Sequence, residues 1–156
     1  GFMRDGKSIY SGWHDGKIRS FLPQSGKLLY CISDAHVNGV TAITSTSDNQ
    51  KLISGGMNGE IRIWKIGRQC QTMESSLKEH RGRVWSIQVN SLNDRAISAS
   101  ADGSCIIWDI NNYVRIACMF ENTMFKQLVY HPQEAQILTT GSAKKVKNNT
   151  FFIYFF

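Results

Sequence analysis

The stretch Ser98-Ala-Ser-Ala-Asp-Gly-Ser-Cys-Ile-Ile-Trp-Asp109 decides the fold, because the chain repeats its spacing three times. The other copies begin at Ser11 and Ser54. From the serine, the next polar residue, the glycine and the aromatic lie at offsets 4, 5 and 10 in every copy: Asp15, Gly16 and Phe21; Asn58, Gly59 and Trp64; Asp102, Gly103 and Trp108. Each Asp-Gly or Asn-Gly step sits between two short alternating apolar runs. That is a strong hairpin signal, since these residues tolerate the positive φ of a tight turn. The aromatic recurs at steps of 43 and 44 residues. A period in that range describes a small antiparallel sheet repeated side by side.

The strands expected from this ruler are Lys7–Trp13, Lys17–Phe21 and Lys27–Ile32 in the first unit. Val40–Thr44, Lys51–Gly55, Glu60–Ile66 and a weak Gln71–Met73 follow in the second. Val84–Val89, Arg95–Ser100, Cys105–Ile110 and Val114–Phe120 form the third, and Phe125–Tyr130, a His131-Pro132 turn and Gln136–Gly141 open a fourth. Helical periodicity is weak; its best stretch, Glu74–His80, reads more simply as a connecting loop. Inner strands are apolar at alternate positions (Ile61 and Ile63; Ile106 and Trp108), while Arg62 and Ile107 show a second face that varies. Such units lean on one another to bury their apolar faces.

The pattern resembles the WD40 repeat, one propeller blade per copy. The fold class is therefore all-β: a partial WD40 β-propeller of three four-stranded blades plus an incomplete fourth. We divide the chain into a partial blade at 1–34, blades at 35–78 and 79–121, the start of a further blade at 122–145 and an aberrant tail at 146–156. Closed propellers need at least four blades, so the 156 residues are expected to be a piece of a longer protein, consistent with the absence of Met at position 1. The fourth unit lacks Trp: ten residues after Thr139 stands Asn149, and Thr150–Phe156 reads unlike any blade strand, more like out-of-frame sequence or a truncated splice form. Open blade edges and this uncharged segment are expected to make the isolated chain poorly soluble or oligomeric.

His36 and His80 each lie 18 residues before the serine of their repeat. The third copy thus offers His80, Ser98, Asp102 and Trp108, and the second His36, Ser54, Asn58 and Trp64. Trp can only donate, Ser donates and accepts, and His relays to a carboxylate, so a buried indole–hydroxyl–imidazole–carboxylate chain is expected. A catalytic Ser-His-Asp reading is disfavoured: the set repeats, each Ser is paired with a Trp, and no Gly-x-Ser-x-Gly elbow surrounds it. The His-bearing loops and the hairpins share one end of the repeat. That end presents Trp13, His14, Val37, Asn38, Met57, Arg81 and Arg83, a candidate partner-binding face.

The net charge is +6. It suits an acidic partner, but the basic residues are scattered, and the one cluster (Lys144, Lys145, Lys147) falls in the anomalous C-terminal segment. Cys31, Cys70, Cys105 and Cys118 form no C-x-x-C pair and read as reduced thiols, three on outer strands and Cys105 on an inner one. His14 and His131 have no metal-ligand spacing, and Gly55-Gly56 lies in a strand and hairpin rather than a phosphate loop. No signal peptide is visible, and Phe151–Phe156 is too short to cross a bilayer.

Longer runs narrow the resemblance. Asp5-Gly-Lys-Ser-Ile-Tyr10, Asp15-Gly-Lys-Ile-Arg19, Ala35-His-Val-Asn-Gly-Val-Thr-Ala-Ile43, Leu77-Lys-Glu-His80, Asp102-Gly-Ser-Cys-Ile-Ile-Trp-Asp109 and Tyr130-His-Pro132 resemble a WD-repeat family of motile cilia and flagella, from Asp5 to Lys145. The resemblance implies a non-catalytic microtubule inner protein of the axonemal doublet. Its implied partners are tubulin and other axonemal inner proteins, with no cofactor, metal, nucleic acid, membrane or small-molecule substrate. The implied location is the cytoplasm and cytoskeleton, in the cilium or flagellum axoneme. Within it, Phe21 replaces Trp in the first copy, which predicts a missing indole hydrogen bond there. The alternative is a generic WD40 protein-interaction adaptor in another cytosolic complex.

Overall fold

A computed structural model describes residues 1–131, 134, 136–142 and 150–155. Pro132, the Lys144, Lys145 and Lys147 cluster, and Asn149 lie outside the described residues. The fold is all-β, in four antiparallel sheets. The first contains β1 (Ile9–Gly12), β2 (Ile18–Phe21) and β3 (Leu28–Ile32). The second contains β4 (Val40–Ser45), β5 (Lys51–Gly56), β6 (Ile61–Ile66) and β7 (Gln71–Leu77). The third contains β8 (Val84–Val89), β9 (Arg95–Ser100), β10 (Ser104–Asp109) and β11 (Val114–Phe120). The fourth contains β12 (Met124–Tyr130), β13 (Gln136–Ser142) and β14 (Thr150–Phe155). Within each sheet the strands pair in chain order.

The second and third sheets carry all four strands. The first has three: Met3 and Ser8 close a turn, leaving only an isolated bridge from Phe2 to Ile9 where a further strand would run. Two expectations change. Glu74–Leu77 is neither helix nor loop but the second half of β7, because its backbone pairs with β6, Leu77 opposite Ile61. Cross-strand pairing outweighs weak local propensity. Likewise Thr150–Phe155 does pair as a blade strand, with Ile137 opposite Tyr154. Leu52 faces Trp64 and Ala96 faces Trp108 at the same ladder position. The same ladder position in the fourth sheet falls at Tyr154, fifteen residues after Thr139 rather than ten.

Burial confirms that neighbouring sheets supply each other's core. One cluster joins Tyr10 and Ile18 of the first sheet to Val40, Leu52 and Trp64 of the second. Another joins Ala42, Ile53, Ile61 and Ile63 to Val84, Ala96, Ile106 and Trp108 of the third. A third joins Ile97, Ala99, Cys105 and Ile107 to Phe125, Leu128 and Ile137 of the fourth. Trp64 and Trp108 therefore each fill the seam with the preceding sheet. At about 25 cal/mol per Å² of apolar area buried, these seams are the dominant stabilising term.

Polar latches flank the seams at both ends. At the hairpin end, Gly16, Gly59 and Gly103 have φ of 79°, 83° and 83°. A Cβ on them would lie 2.2, 2.2 and 2.5 Å from the carbonyl oxygens of His36, His80 and Glu121. The recurring glycine is thus required twice over, by the turn and by the loop of the next sheet that closes upon it. At the opposite end, Asn49, Asn93 and Glu134 sit in turns at positive φ. Their side chains accept backbone N–H bonds from Arg4, Ser47 and Ser91 of the preceding sheet, at 2.7, 2.7 and 2.6 Å. Nothing in the repeat reading pointed to this second latch. Its signal was an Asn two residues before the second strand of the sheet, at Asn49 and Asn93.

Candidate functional site

In the third sheet the polar set forms a continuous chain. Trp108 Nε1–H donates to Ser98 Oγ at 2.8 Å, and Ser98 Oγ lies 2.7 Å from His80 Nε2. His80 Nδ1 lies 2.6 Å from Ser104 Oγ, which donates to Asp102 Oδ1 at 2.5 Å. Asp102 Oδ2 is 3.5 Å from His80 Nδ1 and accepts the Arg81 N–H at 2.7 Å. The tautomer that satisfies every proton is neutral His80 with its hydrogen on Nδ1, each group donating to the next toward the carboxylate. Burial pulls His80 below the usual imidazole range, against the pull of Asp102. Burial would raise Asp102, but the hydrogen bonds from Ser104 and the Arg81 N–H hold its carboxyl below its ordinary value. The relay therefore passes through Ser104, a residue the tetrad reading did not include. The signal was the Asp-Gly-Ser order itself.

The second sheet keeps the hub and changes the anchor. Trp64 Nε1–H donates to Ser54 Oγ at 2.9 Å, and Ser54 Oγ lies 2.8 Å from His36 Nε2. There the chain stops, and Asn58 does not join it. Its Nδ2 donates to Glu60 Oε2 at 3.4 Å, and His36 Nδ1 is buried with no hydrogen-bond partner among the described residues. Glu60 stands where Ser104 stands in the third sheet, and its carboxylate faces away from the relay. It pairs with Arg62 at 3.0 Å, accepts from Ser76 at 2.5 Å and lies 3.6 Å from Lys78. Burial opposes its ionisation, yet Ser76 and Arg62 carry its pKa down to about 2. Arg62 then donates to the carbonyls of Asp34 and Ala35, at 2.8 and 3.0 Å, and so fastens the loop that carries His36. Burial, with the nearby Arg62 charge, lowers His36 to about 4.

The first sheet departs further. Phe21 supplies no indole, but Ser11 Oγ still accepts one, from the half-exposed Trp13 at 2.8 Å. The missing bond is replaced from the surface rather than from the seam.

Both Ser-His pairs are sealed inside seams: Ser54 and Ser98 are fully buried, and His36 and His80 nearly so. Each serine accepts an indole proton and is closed off from solvent.

The candidate face gathers at the hairpin end. Val40 N–H donates to the Trp13 carbonyl and Met57 N–H to that of Gly39. Trp13, His14, Val37, Asn38 and Arg81 are exposed, and Met57 and Arg83 partly so. Arg19 lies 4.9 Å over the Trp13 ring and holds Asp15 below the usual carboxylate range. Arg83 lies 4.1 Å over Trp85, an exposed aromatic that the sequence reading passed over. Among the described residues no three His, Cys, Asp or Glu converge as metal ligands, and no helix is long and apolar enough to cross a membrane. All four cysteines are free; Cys70 lies in the turn before β7 rather than on an outer strand, and burial pushes the Cys105 thiol up to about 12.

Comparison with known proteins places these features. The family described as "WD domain, G-beta repeat" matches residues 26–65 and 71–109. Cilia- and flagella-associated protein 52 of Mus musculus is 51% identical over 145 residues, covering 93% of this chain and 23% of the relative. The protein of the same name from Homo sapiens is 51% identical over the same share of both chains. That from Chlamydomonas reinhardtii is 51% identical, covering 93% of this chain and 24% of the relative. The chain thus spans about a quarter of the relatives it matches. The solved structure of U3-55K superposes with a TM-score of 0.80 over 99% of this chain and 50% of that one; at 19% identity it speaks for the fold alone.

Proposed function

The chain belongs to the WD40-repeat family, and on that premise we propose that it is a non-catalytic scaffold segment of the ciliary and flagellar axoneme. The observation that carries this reading is the 51% identity, over nearly the whole chain, to cilia- and flagella-associated proteins of a mammal and of Chlamydomonas reinhardtii. In the finer form of the proposal it acts as a microtubule inner protein, binding tubulin and other inner proteins of the doublet and stabilising it. The buried relays support a role without catalysis, since they consume the polar groups that chemistry would need. The surface proposed to meet the partner is the hairpin end, with Trp13, His14, Asn38, Met57, Arg81 and Arg83.

The test is retention. The tagged full chain, expressed in motile ciliated cells, is expected to stay with axonemal doublets after detergent and salt extraction. Recovery only in the soluble fraction would overturn the proposal in favour of an adaptor role elsewhere. Arg81→Glu with Arg83→Glu is expected to reduce retention without unfolding the third sheet, because Arg81 engages Asp102 through its backbone.

A further inference from the structure

The chain has two Asn-Gly steps, Asn38-Gly39 and Asn58-Gly59. Both asparagines are exposed. At Asn58 every group of the step is held. Its Oδ1 accepts the Glu60 N–H at 3.3 Å and its Nδ2 donates to Glu60 Oε2 at 3.4 Å. The Gly59 N–H donates to the Gly56 carbonyl at 3.3 Å. Each bond is long, but all must yield before the Gly59 nitrogen can reach the Asn58 side chain.

The Asn38 step is pinned only on either side. The His36 N–H donates to the Gly16 carbonyl at 3.1 Å, and the Val40 N–H to the Trp13 carbonyl at 3.0 Å. Between these pins, neither the Asn38 side-chain amide nor the N–H groups of Val37, Asn38 and Gly39 form a well-made hydrogen bond among the described residues. The matching loop of the third sheet is tied at its tip, where the Arg81 N–H donates to Asp102 Oδ2 at 2.7 Å. In the second sheet Asn58 stands in the place of Asp102, is engaged with Glu60, and leaves the tip untied. A segment with few hydrogen bonds opens locally at low cost. Asn38 and Gly39 hold φ of 68° and 109°, and glycine carries no Cβ to shield its nitrogen.

We infer that Asn38-Gly39 is a site of spontaneous deamidation. The Gly39 nitrogen attacks Asn38 Cγ. The new N–C bond forms as the Cγ–Nδ2 bond breaks, and ammonia leaves with the proton of the Gly39 N–H. Water then opens the cyclic imide at either carbonyl, giving aspartate or isoaspartate, and nothing is oxidised or reduced. The product adds a negative charge to the face that carries Arg81 and Arg83. The reaction needs no partner and stands whether or not the chain resides in the axoneme.

The full chain is incubated in mildly alkaline buffer, folded and in guanidinium chloride, and then digested with trypsin. Asn38 falls on peptide 28–51 and Asn58 on peptide 52–62. Electron-transfer fragmentation locates each modified residue and separates isoaspartate from aspartate. In the folded chain Asn38 is expected to deamidate several-fold faster than Asn58, with isoaspartate the major product. In denaturant the two rates are expected to converge, because the Asn-Gly chemistry is then the same. Asn38→Gln is expected to remove the product from peptide 28–51 and leave peptide 52–62 unchanged. Fluorescence of the buried Trp108 reports that the incubated chain is folded. No reaction at Asn38 in the folded chain, reaction at Asn58 as fast as at Asn38, or a ratio of rates that denaturant leaves unchanged would each overturn the inference.

Discussion

The second and third sheets share a hub and differ in what holds it. In both, an indole, a serine hydroxyl and an imidazole lie in line within 2.7–2.9 Å of each other. Beyond the imidazole they part. The third sheet continues through Ser104 to a carboxylate; the second leaves His36 Nδ1 unpaired and fastens the histidine loop through Arg62 to two carbonyls. The seam thus demands the indole–hydroxyl–imidazole part. Its anchor is exchangeable, provided the loop is tied down by charged hydrogen bonds from the sheet's third strand or hairpin.

The largest effect should fall on the shared hub. Ser54→Ala and Ser98→Ala each orphan an indole N–H and an imidazole nitrogen in a buried seam. Each should cost about 2–6 kcal/mol in urea unfolding, from about 1–3 kcal/mol per orphaned group. A loss in one sheet several times that in the other would break the claim of a common hub.

The anchors should part company in acid. His36 has a folded pKa of about 4 against 6.5 unfolded. Between those values the unfolded chain binds the extra proton, so stability is complete above pH 6.5 and falls as the pH drops toward 4. The loss reaches at most about 3 kcal/mol, at 1.36 kcal/mol per unit. Glu60, lowered from 4.5 to about 2, adds a second loss between those values. His80 is also lowered, but Asp102 opposes the shift, whereas Arg62 deepens that of His36. Urea midpoints at pH 7.5 and 5 should therefore differ, and His36→Gln should shrink the difference. A flat profile would remove the charge argument from the second sheet.

Next comes the bridge. Ser104→Ala leaves His80 Nδ1 facing Asp102 at 3.5 Å with no hydroxyl between them. A cost of about 1–3 kcal/mol is expected. No loss would mean that His80 and Asp102 close the gap directly, making the hydroxyl dispensable.

How much of this was legible follows from what each feature depends on. The blades were readable because one offset rule fixes turn, strand and buried aromatic together, and the seam then has no alternative register. The hub was readable for the same reason: its spacing is that of the sheet. The anchors were not, because Asn58 and Asp102 look equivalent in sequence, while residues two positions on, Glu60 and Ser104, decide which way each points. Glu74–Leu77 was hidden because a partnered edge strand needs little β-propensity of its own. Tyr154 was hidden because it stands fifteen residues after Thr139 rather than ten. The latch from Ser47 to Asn93 spans 46 residues and joins residues that read as ordinary turn formers.

The smallest effects separate the two anchors most sharply. Asn58 is exposed, and its contacts to Glu60 are long, at 3.3 and 3.4 Å. Asn58→Ala should stay within about 0.5 kcal/mol of the parent, where the equivalent change at Asp102 strips the relay of its carboxylate. Installing the acid of the third sheet, Asn58→Asp, should not help. It sets a carboxylate beside that of Glu60, and like charges at this range repel. Glu60→Ser alone frees Arg62 of its partner and should destabilise. Together the two changes import the Asp-Gly-Ser order of the third sheet and offer His36 Nδ1 the hydroxyl it lacks. The double variant should therefore be more stable than the sum of the singles, with a coupling of about 0.5–1.5 kcal/mol. Strict additivity would show that Arg62, not the orphaned nitrogen, governs the second clasp.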